Sequence, residues 1–148
     1  MTGRKSSPHS HGKQAASPTC LACPFYILDP VKYKSCGGKR LRHPSDLRVH
    51  FYRSHARPPF CSACKLTFKG KDANLNRNRH IAERQCRRTL KPNPPGLTED
   101  QFIIISKKRE IAPFQDLNLQ ARQWYSMWQV CCPGYPFPPP ESISRPGF

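Results

Sequence analysis

The spacing Cys61-x2-Cys64 followed by His80-x5-Cys86 constrains this chain more tightly than any other feature. Two thiolates presented at a turn and two further ligands presented by a helix beyond it are spaced to close a tetrahedron around a zinc ion. Phe68 stands where such a finger's small core takes an aromatic, and Lys65 is expected to supply a backbone N–H to a thiolate. One place is irregular. An apolar residue three before the first helical ligand should face the core with it, yet that place is Arg77, and the nearest leucine, Leu75, lies five before His80. The stretch LNRNRH reads as LNRH with an NR pair repeated, so the helix is expected either to begin after Leu75 or to be distorted.

A second set lies upstream. His50-x4-His55 sits in SDLRVHFYRSH, where Ser45 is the expected N-cap and Leu47 falls three before His50. Two thiolates must come from Cys20, Cys23 and Cys36. Cys20-x2-Cys23 has the commonest zinc spacing, but Pro24 has no N–H to donate to a thiolate, and this choice leaves 26 residues before His50. Cys36 leaves 13, and Gly37 and Gly38 can supply donors and positive φ angles. The residue chemistry therefore selects Cys36 and leaves Cys20 and Cys23 competing for the other place.

Composition agrees with a fold that needs metal. Of 148 residues only 36% are hydrophobic and 17 are proline, so no large apolar core can be assembled, whereas eight cysteines and six histidines can staple small units. No secretory signal pattern opens the sequence, and no apolar run approaches the roughly 18 residues of a membrane span. A reducing intracellular setting is expected, in which cysteines interleaved with histidines read as metal ligands instead of disulfides. Residues 1–96 carry 20 Lys plus Arg against four Asp plus Glu, while residues 97–148 carry five of each. The excess positive charge thus lies with the Cys/His half, and its simplest partner is a polyanion such as nucleic acid. The basic runs KRLR and SKKR carry the expectation of a nuclear location.

Along the chain, residues 1–18 read as a disordered basic arm, 19–57 and 58–90 as the two metal units, and 91–96, KPNPPG, as a linker marking a domain boundary. Residues 97–132 read as a helical segment. LTEDQFIIISKKRE has Thr98 and Gln101 placed for a capping box, and Asp116 is the expected cap of a second helix. There Leu117, Ala121, Trp124, Tyr125 and Trp128 recur at helical spacing, as a packing stripe or as a face for a partner. The stretch 133–148 reads as an extended proline-rich tail.

In order, ACPFYILDPVKYKSC, DLRVHFYRSH, PPFCSACKLTF and HIAERQC, continuing into LTEDQ, SKKR and RQWYSMWQV, resemble a C2H2-type zinc-finger family common in filamentous fungi. Members open with Cys-Pro-(Phe/Tyr) and an Asp-Pro-x-x-(Tyr/His) loop, and the likeness spans roughly residues 22–148. The resemblance implies that Cys23, which precedes Pro-Phe-Tyr, joins Cys36, His50 and His55, and that Cys86 ends a second finger with Cys61, Cys64 and His80. The fold expected is a small zinc-stabilised α/β one: two atypical ββα-like fingers packed together, then one or two α-helices, with disordered tails. Cys20, the NR repeat and the Cys131-Cys132 pair depart from the family pattern. Cys20 is then expected as a free thiol just outside the fold, and Cys131-Cys132 as helix-end hydrophobes or exposed thiols.

Two structural zinc ions, each closed by four protein ligands, leave no open position to activate water, and no catalytic constellation accompanies them; no enzyme is expected. The base-reading places of the first finger helix would hold His43, Ser45, Asp46 and Val49, a poor set for guanine. Arg42, Arg48, Arg53, Arg77, Arg79 and Arg84 are better suited to phosphates, so backbone-dominated binding of nucleic acid, DNA ahead of RNA, is expected, with a role connected to transcription. The short, proline-stiffened ARPPF joins the fingers. The alternative is a zinc-stabilised protein-interaction module that uses the Trp124/Trp128 helix and the proline tail. Neither a membrane nor a small-molecule substrate is expected.

Overall fold

The computed structural model describes residues 19–146; the expected basic arm over 1–18 and the last two residues of the tail lie outside the described residues. Among the described residues five α-helices form: α1 (Pro24–Leu28), α2 (Pro44–Ser54), α3 (Ala73–Glu83), α4 (Glu99–Ser106) and α5 (Leu119–Cys131). Two three-residue strands, β1 (Thr19–Leu21) and β2 (Ser144–Pro146), pair antiparallel, and 3-10 turns cover Lys34–Gly38 and Pro140–Ser142. No helix among the described residues is long and apolar enough to cross a membrane.

The chain divides into two compact units, one taking the described residues up to Leu47 and from Lys108 onward, the other Arg48–Lys107. The expected boundary at 91–96 is not where the chain divides. Gly96 takes φ +134, and a Cβ there would lie 2.5 Å from the Arg57 Cα. Without a side chain, residue 96 lets Leu97 pair with the ARPPF stretch: Arg57 N–H donates to Leu97 O at 2.9 Å and Leu97 N–H to His55 O at 2.7 Å. The prolines therefore stiffen a segment held inside one unit.

In the first unit α5 supplies the core. Trp124 and Tyr125 are fully buried, Trp128 nearly so, and the two tryptophan rings stack four residues apart, 5.7 Å between centroids. Two of the three polar handles are used: Trp124 Nε1 donates to Ala22 O at 2.7 Å and Tyr125 OH to Pro138 O at 2.8 Å, while Trp128 Nε1 is buried with no hydrogen-bond partner. Residues 133–146 do not form a disordered tail. Pro138 is buried, Phe137 lies edge-on to Tyr125 at 5.7 Å, and β2 closes on β1. The aromatic stripe is a packing stripe, with the tail itself among the material it packs upon.

Helix ends refine the caps. Thr98 and Gln101 form the reciprocal capping box of α4, which stops at Ser106 before Lys108 at φ 54. Helix α5 is capped by Asn118, whose Oδ1 accepts from Ala121 N–H at 2.8 Å, and not by Asp116, which takes φ 61. Helix α2 begins at Pro44, ahead of Ser45, because proline suits the first helical position; Asp46 Oδ2 accepts the N–H groups of Arg42 and His43.

Candidate metal centres

Cys23, Cys36, His50 and His55 form one group, all four buried, and Cys61, Cys64, His80 and Cys86 a second; within each, the ligand atoms lie within 4.8 Å of one another.

Cys23 is the N-cap of α1, with Pro24 at the first helical position. Proline does remove one donor, but the two residues after it replace it: the N–H groups of Tyr26 and Phe25, in the first turn of α1, reach the Cys23 sulfur. Burial nevertheless pushes the Cys23 thiol up to about 12, outweighing those donors, so a thiolate there needs a cation beside it. Cys36 lies in the 3-10 turn Lys34–Gly38. Neither glycine after it takes a positive φ. Gly37 is needed for space, since a Cβ there would meet the Tyr26 ring at 2.8 Å.

His50 and His55 come from α2 and the residue just past its end, their Nε2 atoms 3.2 Å apart. Burial, with the neighbouring His50 second, lowers the His55 pKa to about 4, keeping the imidazole neutral and its lone pair available. Leu47 and Phe51 on the same helix are fully buried, as Leu47's spacing from His50 predicts.

The second group begins in a knuckle closed by an antiparallel bridge between Phe60 and Thr67, with Lys65 at φ 67. The donors to Cys61 are the N–H groups of Cys64 and, more weakly, Ala63, which hold its thiol at about 6 against the opposing effect of burial. Lys65 N–H instead donates to Cys61 O at 2.7 Å, correcting its expected role. Helix α3 starts at Ala73, ahead of Leu75, so it does not begin late; the NR repeat is absorbed by turning Ala73 and Arg77 toward the His80 side and leaving Leu75 57% exposed. Arg84 at φ 51 then reverses the chain and delivers Cys86, whose thiol is raised to about 11 by burial and by the sulfurs of Cys61 and Cys64. Phe68, half-buried, sits 5.5 Å from the His80 ring.

The donor spacing fits a tetrahedral ion. Bonds of about 2.0–2.1 Å to nitrogen and about 2.3 Å to sulfur place two nitrogens about 3.3 Å apart, two sulfurs about 3.8 Å apart and a mixed pair about 3.6 Å apart. The observed separations are 3.2 Å for His50–His55, 3.8 Å for Cys61–Cys86 and 3.3 Å for Cys64–His80. No disulfide joins any of the eight cysteines. Each group can therefore hold a metal ion. The ββα fingers are not confirmed: among the described residues the first group takes its thiols from a helix cap and a 3-10 turn, and the hairpin of the second group is reduced to one bridge.

Cys20 lies outside the first group, yet it is not outside the fold: it is 1% exposed within β1. Cys132 is also buried, and Cys131 half-buried. Of the arginines singled out in the sequence, Arg53 and Arg77 line one cleft of the second unit. Arg79 and Arg84 are exposed in that unit and Arg42 in the other, while Arg48 is half-buried with Nη1 lacking a hydrogen-bond partner. Comparison with protein-family models, curated proteins and solved structures found no match.

Proposed function

We propose that this is a protein whose two metal groups hold structural zinc and whose basic surface binds nucleic acid through phosphate contacts, DNA ahead of RNA. The observation that carries the reading is the coincidence of two four-donor groups of tetrahedral spacing with a charge excess confined to residues 1–96, where 20 basic residues face four acidic ones. Two or three thiolates in each group favour zinc over harder divalent ions, and four protein ligands close each shell, so the metal shapes the fold and activates no water. The motif order resembling fungal C2H2-type finger proteins supports the same reading, and the basic runs KRLR and SKKR fit a nuclear setting for it. Asp46 already accepts two backbone N–H groups, which leaves the first finger helix still fewer base-reading side chains. The protein-interaction alternative relied on the Trp124/Trp128 helix and the proline tail; both tryptophans are buried, and Pro138 of the tail accepts from Tyr125 OH.

The test is fluorescence anisotropy of the full zinc-loaded chain on mixed-sequence DNA over a salt series. A steep fall of log affinity with log salt, weakly dependent on sequence, is expected. No binding at low salt would sink the reading.

A further inference from the structure

The second unit contains a cleft of about 930 Å³ lined by the end of α2, the ARPPF stretch and the starts of α3 and α4. Its lining combines three guanidinium groups, Arg53, Arg57 and Arg77, with three aromatic rings, Tyr52, Phe60 and Phe102. Among the described residues none of the three arginines is ion-paired; Arg77 donates to its neighbour Asn78, and Arg57 lies 4.9 Å over the Phe60 ring. Tyr52, 71% exposed, meets Phe102 edge-on at 5.3 Å, leaving most of its surface to solvent. Glu99 and Asp100, at the start of α4, also line the cleft.

We propose that this cleft receives unstacked nucleotides of a single-stranded nucleic acid, the guanidinium groups taking phosphates, the exposed Tyr52 ring stacking on a base, and Glu99 and Asp100 accepting from base amino groups. The inference rests on the nucleic-acid reading above and specifies which form is preferred. A base inside a duplex has both faces covered by its neighbours and cannot enter a recessed cleft, whereas a splayed base can lie against an aromatic ring. A site for phosphate alone would have no use for carboxylates, but carboxylates pair well with the exocyclic amine of cytosine. The volume falls in the range of about 300–1,000 Å³ typical of ligand clefts. Gly96 builds the site, because only its missing side chain lets Leu97 to Asp100 close against Arg57.

The experiment measures anisotropy of the full zinc-loaded chain with a labelled mixed-sequence single strand and with the same sequence as a duplex, for the wild type and two variants. Tyr52→Ala and the double variant Arg53→Gln/Arg77→Gln alter side chains that are exposed or half-buried, and each is checked for two metal equivalents and unchanged circular dichroism. The single strand is expected to bind about tenfold tighter than the duplex. Tyr52→Ala should weaken the single strand about fivefold or more, given the usual worth of a stacking ring, and leave the duplex unaffected. The double variant should reduce the single-strand salt slope by about 1.4. Equal binding of both forms, unmoved by either variant, would overturn the cleft assignment and leave the nucleic-acid reading standing. Displacement of the strand by polyglutamate of equal charge would mark an acidic-peptide site and overturn it as well. Failure of both forms to bind at low salt would remove the broader reading and the cleft assignment together.

Discussion

His50 and His55 meet through Nε2 atoms 3.2 Å apart, rings nearly perpendicular at 80° and both side chains buried. Two acceptor lone pairs directed at one point are what a metal ion requires, and the spacing of five is reached because α2 ends at Ser54, one residue before His55. Metal content should follow. The full chain is expected to bind two equivalents by atomic emission, Cys36→Ser to lose one, and Cys20→Ser to keep both despite its burial in β1. Loss of an equivalent with Cys20→Ser and retention with Cys36→Ser would reverse the ligand assignment.

The same pair sets an acid limit. His55 titrates near 6.5 when unfolded and at about 4 in the fold, so between those values the unfolded chain binds the extra proton. Stability therefore falls as pH drops from about 6.5 to about 4, and a bound metal extends the fall downward. Thermal midpoints of the metal-loaded chain should decline steadily through that window. A His43→Gln control, altering an exposed ring, should follow the same curve.

How much of this was legible in the sequence depends on the range of the interaction. The Thr98 box, Leu47 three before His50 and the Cys61/Cys64 spacing are local, and the structure places them as the spacing predicts. Cys23 could not be separated from Cys20 by residue chemistry, because the donors that serve it come from Phe25 and Tyr26, the two residues directly after the proline. The tail over 133–146 read as open because its partners, Tyr125 and β1, are distant in sequence. Gly96 looked like punctuation, and its close approach to Arg57 is a long-range contact that no local signal carries.

Gly96→Ala tests that approach. An added Cβ would sit 2.5 Å from Arg57 Cα and 2.6 Å from its nitrogen, at a φ of +134 that side chains rarely adopt. Backbone cannot yield cheaply, so a loss of about 2–4 kcal/mol is expected. Amide exchange should quicken selectively at Arg57 and Leu97, whose N–H groups make the pairing. An alanine variant as stable as the parent would show that Leu97 does not need this seat.

Arg84 offers the opposite change. It holds φ 51 at the end of α3, a left-handed conformation that disfavours a side chain by about 1–2 kcal/mol relative to glycine. Arg84→Gly should stabilise the metal-loaded chain by about 0.5–1 kcal/mol after glycine's greater unfolded-state freedom is subtracted, with two metal equivalents retained. Chemical denaturation gives the shift in midpoint. Because Arg84 is exposed, a small accompanying drop in nucleic-acid affinity is the expected electrostatic consequence, uniform across sequences.

Tyr125 tests the folded tail. Its hydroxyl donates to Pro138 O at 2.8 Å in a fully buried setting, and burial, with Glu141 second, pushes its pKa up to about 12, so the group stays a neutral donor over the working range. Tyr125→Phe keeps the ring against Trp124 and Phe137 but leaves the Pro138 carbonyl without that donor, a loss of about 1–3 kcal/mol. Removing the tail from Pro138 onward should cost more, since it also strips β2 from β1 and leaves α5 aromatics without their cover. Tryptophan fluorescence reads both: a red shift is expected for the truncation, with Trp124 and Trp128 gaining water, and almost none for Tyr125→Phe. A truncated chain with unshifted emission and unchanged melting would mean that the tail contributes nothing to the core it lies upon.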